Sequence, residues 1–452
     1  MWRPTHTPAL ATVRIGTIGT LSFVTFLGTV GLAGADAVTD WNARAGQGAV
    51  AACISPADDP LEESRLYAMV HIAIHDALNA IERRSRPYAY DAQADRSASI
   101  DAAVAAAARD VLVAVLAQIP APFPPACPAA GIAIVEAAYV AALSAIPDST
   151  SKAQGIAVGQ AVAAAILARR ANDGAVPELI VTDYPQGDAP GEYRFTPGFN
   201  FVFAPGWANV TPFVLDRASQ FRPRAPYKLS SSKYAADYNE IKALGGDDIT
   251  TPSTRTPEQT EFGLFWRESS PLAWNRLARS VAAAEGLDAW ENARLFGLLN
   301  MAMADGYIAS WDAKYSYNFW RPVTPIQEGD SDGDPDTVGD PSWTPLQLTS
   351  PIPDHDSAHS VEGGAAAQVL RDFFGTDDIA FAVCSLSLPD GSRCNDATPI
   401  IRSFATFSAA ADENGLSRIL FGIHFRRAVD EGIRHGRRIG KRAVDLFMRP
   451  VN

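Results

Sequence analysis

The sequence predicts an all-α protein built from two packed helical bundles. Apolar residues recur at three- and four-residue steps over most of its 452 positions, and the alternation that marks strands is nearly absent. The helical stretches are separated by two long connections rich in Pro, Gly and aromatic residues. No period of roughly 20–50 residues recurs, which argues against a stacked-repeat architecture. A chain of this length buries a large core or two domains.

The first 37 residues read as an export signal. Arg3 and Arg14 precede an apolar run over 15–35, and Ala35-Asp36-Ala37 offers the small-x-small cleavage pattern, so the mature chain is expected to begin near Val38. It would then be secreted or periplasmic; the alternative is an uncleaved anchor. An N-terminal bundle is expected over 38–255, with helices at 61–84, 100–119, 131–146 and 153–172, the last closed by Asp173-Gly174. Residues 177–226 are expected to be irregular, packed by their own rings, with a further helix at 232–244. The C-terminal bundle, 256–452, is expected to hold helices at 257–265, 271–285, 287–319, 358–374, 401–412 and 420–448, around an irregular stretch at 323–356. Beyond the leader no run of about 18 uninterrupted apolar residues occurs, so no stable membrane insertion of the mature chain is expected.

Net charge is −13, without a basic tail or basic–aromatic interleaving, which excludes a nucleic-acid partner. Of the four cysteines, Cys384 and Cys394 flank a short Pro/Gly/Ser loop and are expected to pair, leaving Cys53 with Cys127. None has the spacing of a zinc or redox motif.

Three clusters carry chemistry. Lys314 and Arg321 are seven residues apart, which on one helix places them on one face, within about 20°. Trp311, Tyr315, Tyr317, Phe319 and Trp320 surround them, unlike an ordinary solvated basic helix end. Ser357-Ala358-His359 opens a helix, with Ser357 as N-cap, free first-turn N–H groups and a histidine in that turn. Arg418 and His424 are six apart and converge only if the chain bends, for which Gly422 provides. Ala428, Gly432, Gly436 and Gly440 then mark a tightly packed helix face. Cations, a helix N-terminus and two imidazoles together suit a phosphate-like oxyanion and acid–base work upon it.

In order and spacing these clusters resemble the signature motifs K-x6-RP, PSGH and SR-x5-H of the vanadium-dependent haloperoxidase and type 2 phosphatidic acid phosphatase superfamily. The flanking residues Trp311-Asp312-Ala313-Lys314 and Ser417-Arg418-Ile419-Leu420-Phe421-Gly422-Ile423-His424 are similar to its haloperoxidase branch. The resemblance covers about residues 292–442. It implies that Lys314, Arg321 and Arg418 clamp the oxygens of vanadate, or of phosphate in the same site. Ser357 and the Ala358 N–H would add hydrogen bonds, and Trp311 would line the pocket. His424 would bind the metal, or attack phosphorus, and His359 would move protons. The partners implied are hydrogen peroxide and halide, or a phosphate ester, and a homodimer is compatible with the resemblance. A binding protein that holds the anion without turnover is a third reading.

The chain departs from the motif at Asp356 in place of proline and Ala358 in place of glycine. Asp356 is expected either to weaken anion binding or to orient His359 and raise its pKa. Ala358 is expected to keep a helical turn. Ile352 stands where an aromatic or histidine side chain is usual near the halide. Two weaker signals remain. His71 and His75 are one turn apart, more consistent with a buried hydrogen-bonded pair than a metal site. The acidic run 330–336 reads as a solvated turn rather than a calcium loop. His355 is a further candidate for tuning the pocket.

Overall fold

The computed structural model describes residues 36–55, 59–119, 126–175, 178–329, 332–386, 394 and 399–451. Residues from Ala35 onward form one compact unit, and all but the last two residues of the expected export signal lie outside the described residues. Asp36 opens a helix the periodicity did not reveal, α1 (Ala37–Ala51). One carboxylate oxygen of Asp36 accepts from the Thr39 N–H and the other from Asn292. A chain cut after Ala37 loses this cap, whereas one cut before Asp36 keeps it.

The first bundle is α1 with α2 (Pro60–Ile81), α3 (Ile100–Leu116), α4 (Ala126–Ser144) and α5 (Thr150–Arg170). Asp59 caps α2 with Pro60 at its first position, and nearly every α2 residue is buried, which makes it the central helix. Alanine-rich sequence allows close crossings: Gly155 and Gly159 of α5 sit where a Cβ would strike the α3 backbone at Ser99 and Ala103. By length and composition α4 passes for a membrane span, with a mean hydropathy of 1.7. It nonetheless packs on α1 and α3, and its Glu136 pairs with Arg109.

The connection that follows is irregular with one short strand pairing, β1 (Ile180–Val181) with β2 (Val202–Phe203), and it also holds two 3-10 turns, Pro205–Asn209 and Ala218–Phe221. Then come α6 (Ser232–Leu244), α7 (Pro257–Phe265), α8 (Ser270–Glu285), α9 (Ala289–Tyr317), α10 (Val323–Glu328) and α11 (Ala358–Phe374). The chain ends with α12 (Phe407–Leu420) and α13 (Arg426–Leu446). Helices α9, α11, α12 and α13 form the second bundle, and α2 packs across onto α9. Helix α6, expected in the first bundle, packs on α12 and α13 instead. The apolar core runs through both bundles. The small-residue face of α13 docks on α11: a Cβ at Gly432, Gly436 or Gly440 would meet the backbone at Ser357, Val361 or Ala365.

Four expectations are corrected. Residues 401–404 are not helical but form β4 (Ile401–Phe404), paired with β3 (Phe381–Cys384) so that Phe404 lies opposite Phe381. Helix 420–448 is broken at 421–425, where Gly422 takes φ +77°. Helix α9 stops at Tyr317 because Asn318 adopts the left-handed conformation (φ 46°) and closes the last turn onto Lys314. The stretch 323–356 contains the short helix α10. Both expected disulfides are present, Cys53–Cys127 and Cys384–Cys394.

Candidate oxyanion site

A cavity of about 190 Å³ opens at the second bundle, lined by Lys314, Arg321, Arg418, His359, His424, Ala358 and Trp311 among others. Lys314 is delivered by the last turn of α9. Arg321 is not on that helix, so helical phase does not explain why the two meet. The left-handed turn at Asn318, with Trp320 fully buried and its N–H bonded to Gly191, brings Arg321 back beside Lys314. Arg418 comes from the last turn of α12 and His424 from the segment after the Gly422 bend.

The hydrogen bonds hold these groups without neutralising them. Lys314 Nζ donates to the carbonyls of Pro353 (3.1 Å) and Asp354 (3.0 Å). Arg321 donates to the carbonyls of Ile352 and Ile423, both at 2.7 Å, and its Nη1 lies 3.0 Å from His424 Nε2. Arg418 has one long contact, 3.5 Å to the Trp266 carbonyl, and its Nε is buried without a partner. His424 Nδ1 lies 2.8 Å from an Asp354 carboxylate oxygen, so Nδ1 carries the proton and Nε2 the lone pair. His359 donates from Nε2 to the Glu268 carbonyl at 3.2 Å, which leaves Nδ1 as its free base.

The electrostatics follow from burial. Burial, then the charge of Arg321, pulls Lys314 down to about 7. Burial and Arg321 lower Arg418 to about 9. Both imidazoles are held well below their usual range, by burial first. The next contribution comes from Arg418 at His359 and from Arg321 at His424. Burial pushes the Asp354 carboxyl up to about 7 against the pull of Arg321 and Lys314. Lys314, Arg321 and Arg418 are thus all shifted toward losing their charge. That is the signature of a site short of negative charge, which a bound oxyanion would supply.

Asp356 does not orient His359, although its charge does reach Lys314. Its carboxylate accepts from Ser310 and His435, both at 2.8 Å, so it braces α9, α11 and α13 rather than touching His359. Asp354, which sequence reasoning passed over, is the carboxylate that orients a site histidine. Two aspartates in Pro353-Asp354-His355-Asp356 offer the same local signal, and only the fold selects between them. Ser357 stands at the N-cap position but caps nothing: its hydroxyl accepts from Ser360 at 3.0 Å, and it does not line the cavity. Ala358 begins α11 and does line it, as do Ile352 and Trp311. His355 donates to the Arg224 carbonyl at 2.7 Å and stands apart from the cavity. Sequence reasoning also missed Ser269 and Tyr307, which line it without any motif to announce them.

The weaker signals are structural. His71 Nε2 lies 2.7 Å from Asn42, and His75 bridges Asp76 and Ser85. Among the described residues no group of three or more His, Cys, Asp or Glu side chains is placed to hold a metal ion. Asp332 accepts from Thr337, closing its own turn; Asp330 lies outside the described residues.

Residues 294–452 match the family model of the second helical-bundle domain of VCPO. Over 285 residues, half of this chain, the sequence is 26% identical to the vanadium chloroperoxidase of Curvularia inaequalis, a match spanning 46% of that protein's length. Among solved structures, a bacterial vanadium-dependent iodoperoxidase superposes with a TM-score of 0.73 at 24% identity, covering 92% of this chain and 97% of the other. A bacterial vanadium-dependent chloroperoxidase superposes at 0.67 with 17% identity, covering 85% and 91%. Fold and site therefore define a helical protein of the two-bundle kind with a buried cationic cavity. Residues 294–452 match that second-bundle domain family, and the chain as a whole has the fold of the bacterial vanadium-dependent haloperoxidases.

Proposed function

We propose that this protein is an exported vanadium-dependent haloperoxidase that oxidises halide with hydrogen peroxide. The observation that carries the reading is the buried trio Lys314, Arg321 and Arg418 around one cavity, offset in part by Asp356 and Asp354, which are themselves engaged by His435 and His424. The donor set fits vanadate. Arg418 keeps a buried Nε without a partner, and His424 offers an Nε2 lone pair whose only neighbour is a guanidinium that an oxyanion would attract. Lys314, Arg321 and Arg418 would hold its oxygens, with the Ala358 N–H at the start of α11, and His424 would take the metal. Such a group, when bound, supplies Lewis-acid activation of peroxide toward halide.

The chain's own residues do the rest. Asp354 holds the Nδ1 proton of His424 and so fixes the ring with Nε2 toward the cavity. The Glu268 carbonyl fixes His359, leaving Nδ1 to accept a proton from peroxide or return one to product. Lys314 presents an ammonium to the developing negative charge. Trp311 and Ile352 narrow the cavity. Two disulfides and the apolar leader support export to an oxidising compartment.

The Asp354–His424 pair also favours a second reading, since a carboxylate-oriented imidazole is a nucleophile for phosphate-ester hydrolysis through a phospho-histidine. Assays with peroxide and bromide or iodide, and with a phosphate ester, each with and without orthovanadate, separate the two. Vanadate-dependent halide oxidation that is lost in His424→Ala supports the first. Ester hydrolysis inhibited by vanadate supports the second. Tight anion binding with neither turnover leaves a binding protein.

A further inference from the structure

Beside the cavity lies a group of buried polar side chains that the chemistry above does not use. Glu63, in the first turn of α2, is completely buried and has no ion-pair partner among the described residues. The Ser55 and Ser269 hydroxyls are directed at its carboxyl and have no other partner among the described residues. Tyr67 and Tyr307 face the same carboxyl with unpartnered hydroxyls. Ser269 and Tyr307 also line the oxyanion cavity, so these hydroxyls connect it to a fully enclosed acid.

The surroundings keep that acid protonated. Asp59 and Glu268 face it with like charge. The nearest cations are engaged or displaced: Arg276 is paired with Glu268, and Arg279 contacts Asn42 and acts on Tyr67. Burial, reinforced by Glu268 and Asp59 and opposed by the two serine hydroxyls, pushes the Glu63 carboxyl up to about 8. Among the described residues no salt bridge or backbone donor gives Glu63 a structural reason to be an acid at this depth, where an apolar side chain would cost less.

Halide oxidation by peroxide consumes protons: one halide ion, one hydrogen peroxide and one proton give one hypohalous acid and one water. We propose that Glu63 is an internal proton donor to the oxyanion cavity, acting through the hydroxyl of Ser269. In the transfer the Glu63 O–H bond breaks as a new O–H bond forms at Ser269 Oγ. The proton that hydroxyl held passes to the peroxide-derived oxygen leaving as water. The carboxylate left behind, pressed by Asp59 and Glu268, is reloaded by a proton from solvent.

This rests on the haloperoxidase reading, and the test distinguishes the two. In the full-length protein, Glu63→Gln keeps shape and neutrality but has no proton to give. Orthovanadate affinity and the KM values for peroxide and halide should stay within about twofold, while kcat falls about tenfold and its solvent deuterium isotope effect grows. Ser269→Ala should give the same kcat loss. Infrared difference spectra of the resting protein, independent of turnover, should show a carboxylic C=O band at neutral pH that is missing in Glu63→Gln. If wild type oxidises halide and Glu63→Gln matches its kcat and isotope effect, or the spectra show Glu63 ionised, the relay is overturned alone. If wild type binds orthovanadate without oxidising halide, the underlying reading falls and the relay with it.

Discussion

Replacing Asp354 by asparagine separates two contributions that the site combines. The carboxylate accepts the His424 Nδ1 proton at 2.8 Å, and its charge also partly offsets Arg321 and Lys314. Asparagine can still accept through its amide oxygen, but a charge-assisted bond is about twice as strong as a neutral one. The loss in orienting His424 and in the basicity of Nε2 is then about 1–1.5 kcal/mol, or about tenfold in affinity for a ligand bonded to Nε2. The lost negative charge acts the other way, leaving the cavity more cationic, and that gain is shared by every oxyanion. Orthovanadate should therefore lose about tenfold in affinity relative to phosphate in Asp354→Asn, while phosphate binds as well as to wild type or better. Isothermal titration of both anions on both proteins gives the comparison, with melting temperature reporting that the variant is folded. Should the two affinities move together, in either direction, no bond through His424 distinguishes vanadate, and the role assigned to Asp354 fails.

Other outcomes follow from the same geometry. Lys314, held down to about 7, loses its proton in the free site as pH rises, and a bound anion restores it. Binding above that pH then takes up a proton, so molybdate affinity should fall by up to about tenfold per pH unit above 7, and Lys314→Met should flatten the slope. The disulfides close loops of very different length, 74 and 10 residues. Serine at both Cys53 and Cys127 should cost about 4 kcal/mol in denaturant unfolding, and serine at Cys384 and Cys394 about 2.5. Gly436→Ala pushes a methyl group into the Val361 carbonyl at the α11–α13 seam and should destabilise by about 3 kcal/mol, seen as a lowered melting temperature.

The helical class, the irregular connection after α5 and the identity of the cationic and imidazole groups were legible in the sequence, because each rests on local periodicity or on motif spacing. Helix α6 was found to the residue, since Ser231 caps it and Gly245 ends it. Short-range reasoning failed where backbone geometry or distant partners decide. Helical phase alone put Lys314 and Arg321 on one face, but the left-handed turn at Asn318, held by contacts with 191–193, is what joins them. Residues 401–404 are a strand because β3 pairs with them across a disulfide-closed loop. Asp354 and Asp356 are equivalent in the sequence, yet one orients His424 and the other pairs with His435 on α13.

What the sequence determined by itself was composition and order: which charged groups exist, in which motifs, on which kind of element. What only the tertiary structure decided was which of them share one cavity, which carboxylate meets which imidazole, and which polar groups stay buried without partners. Helix-forming tendency and turn chemistry act over a few residues and are written locally. Charge balance and desolvation act across space, between segments far apart in the sequence, and exist only once the chain has closed around them.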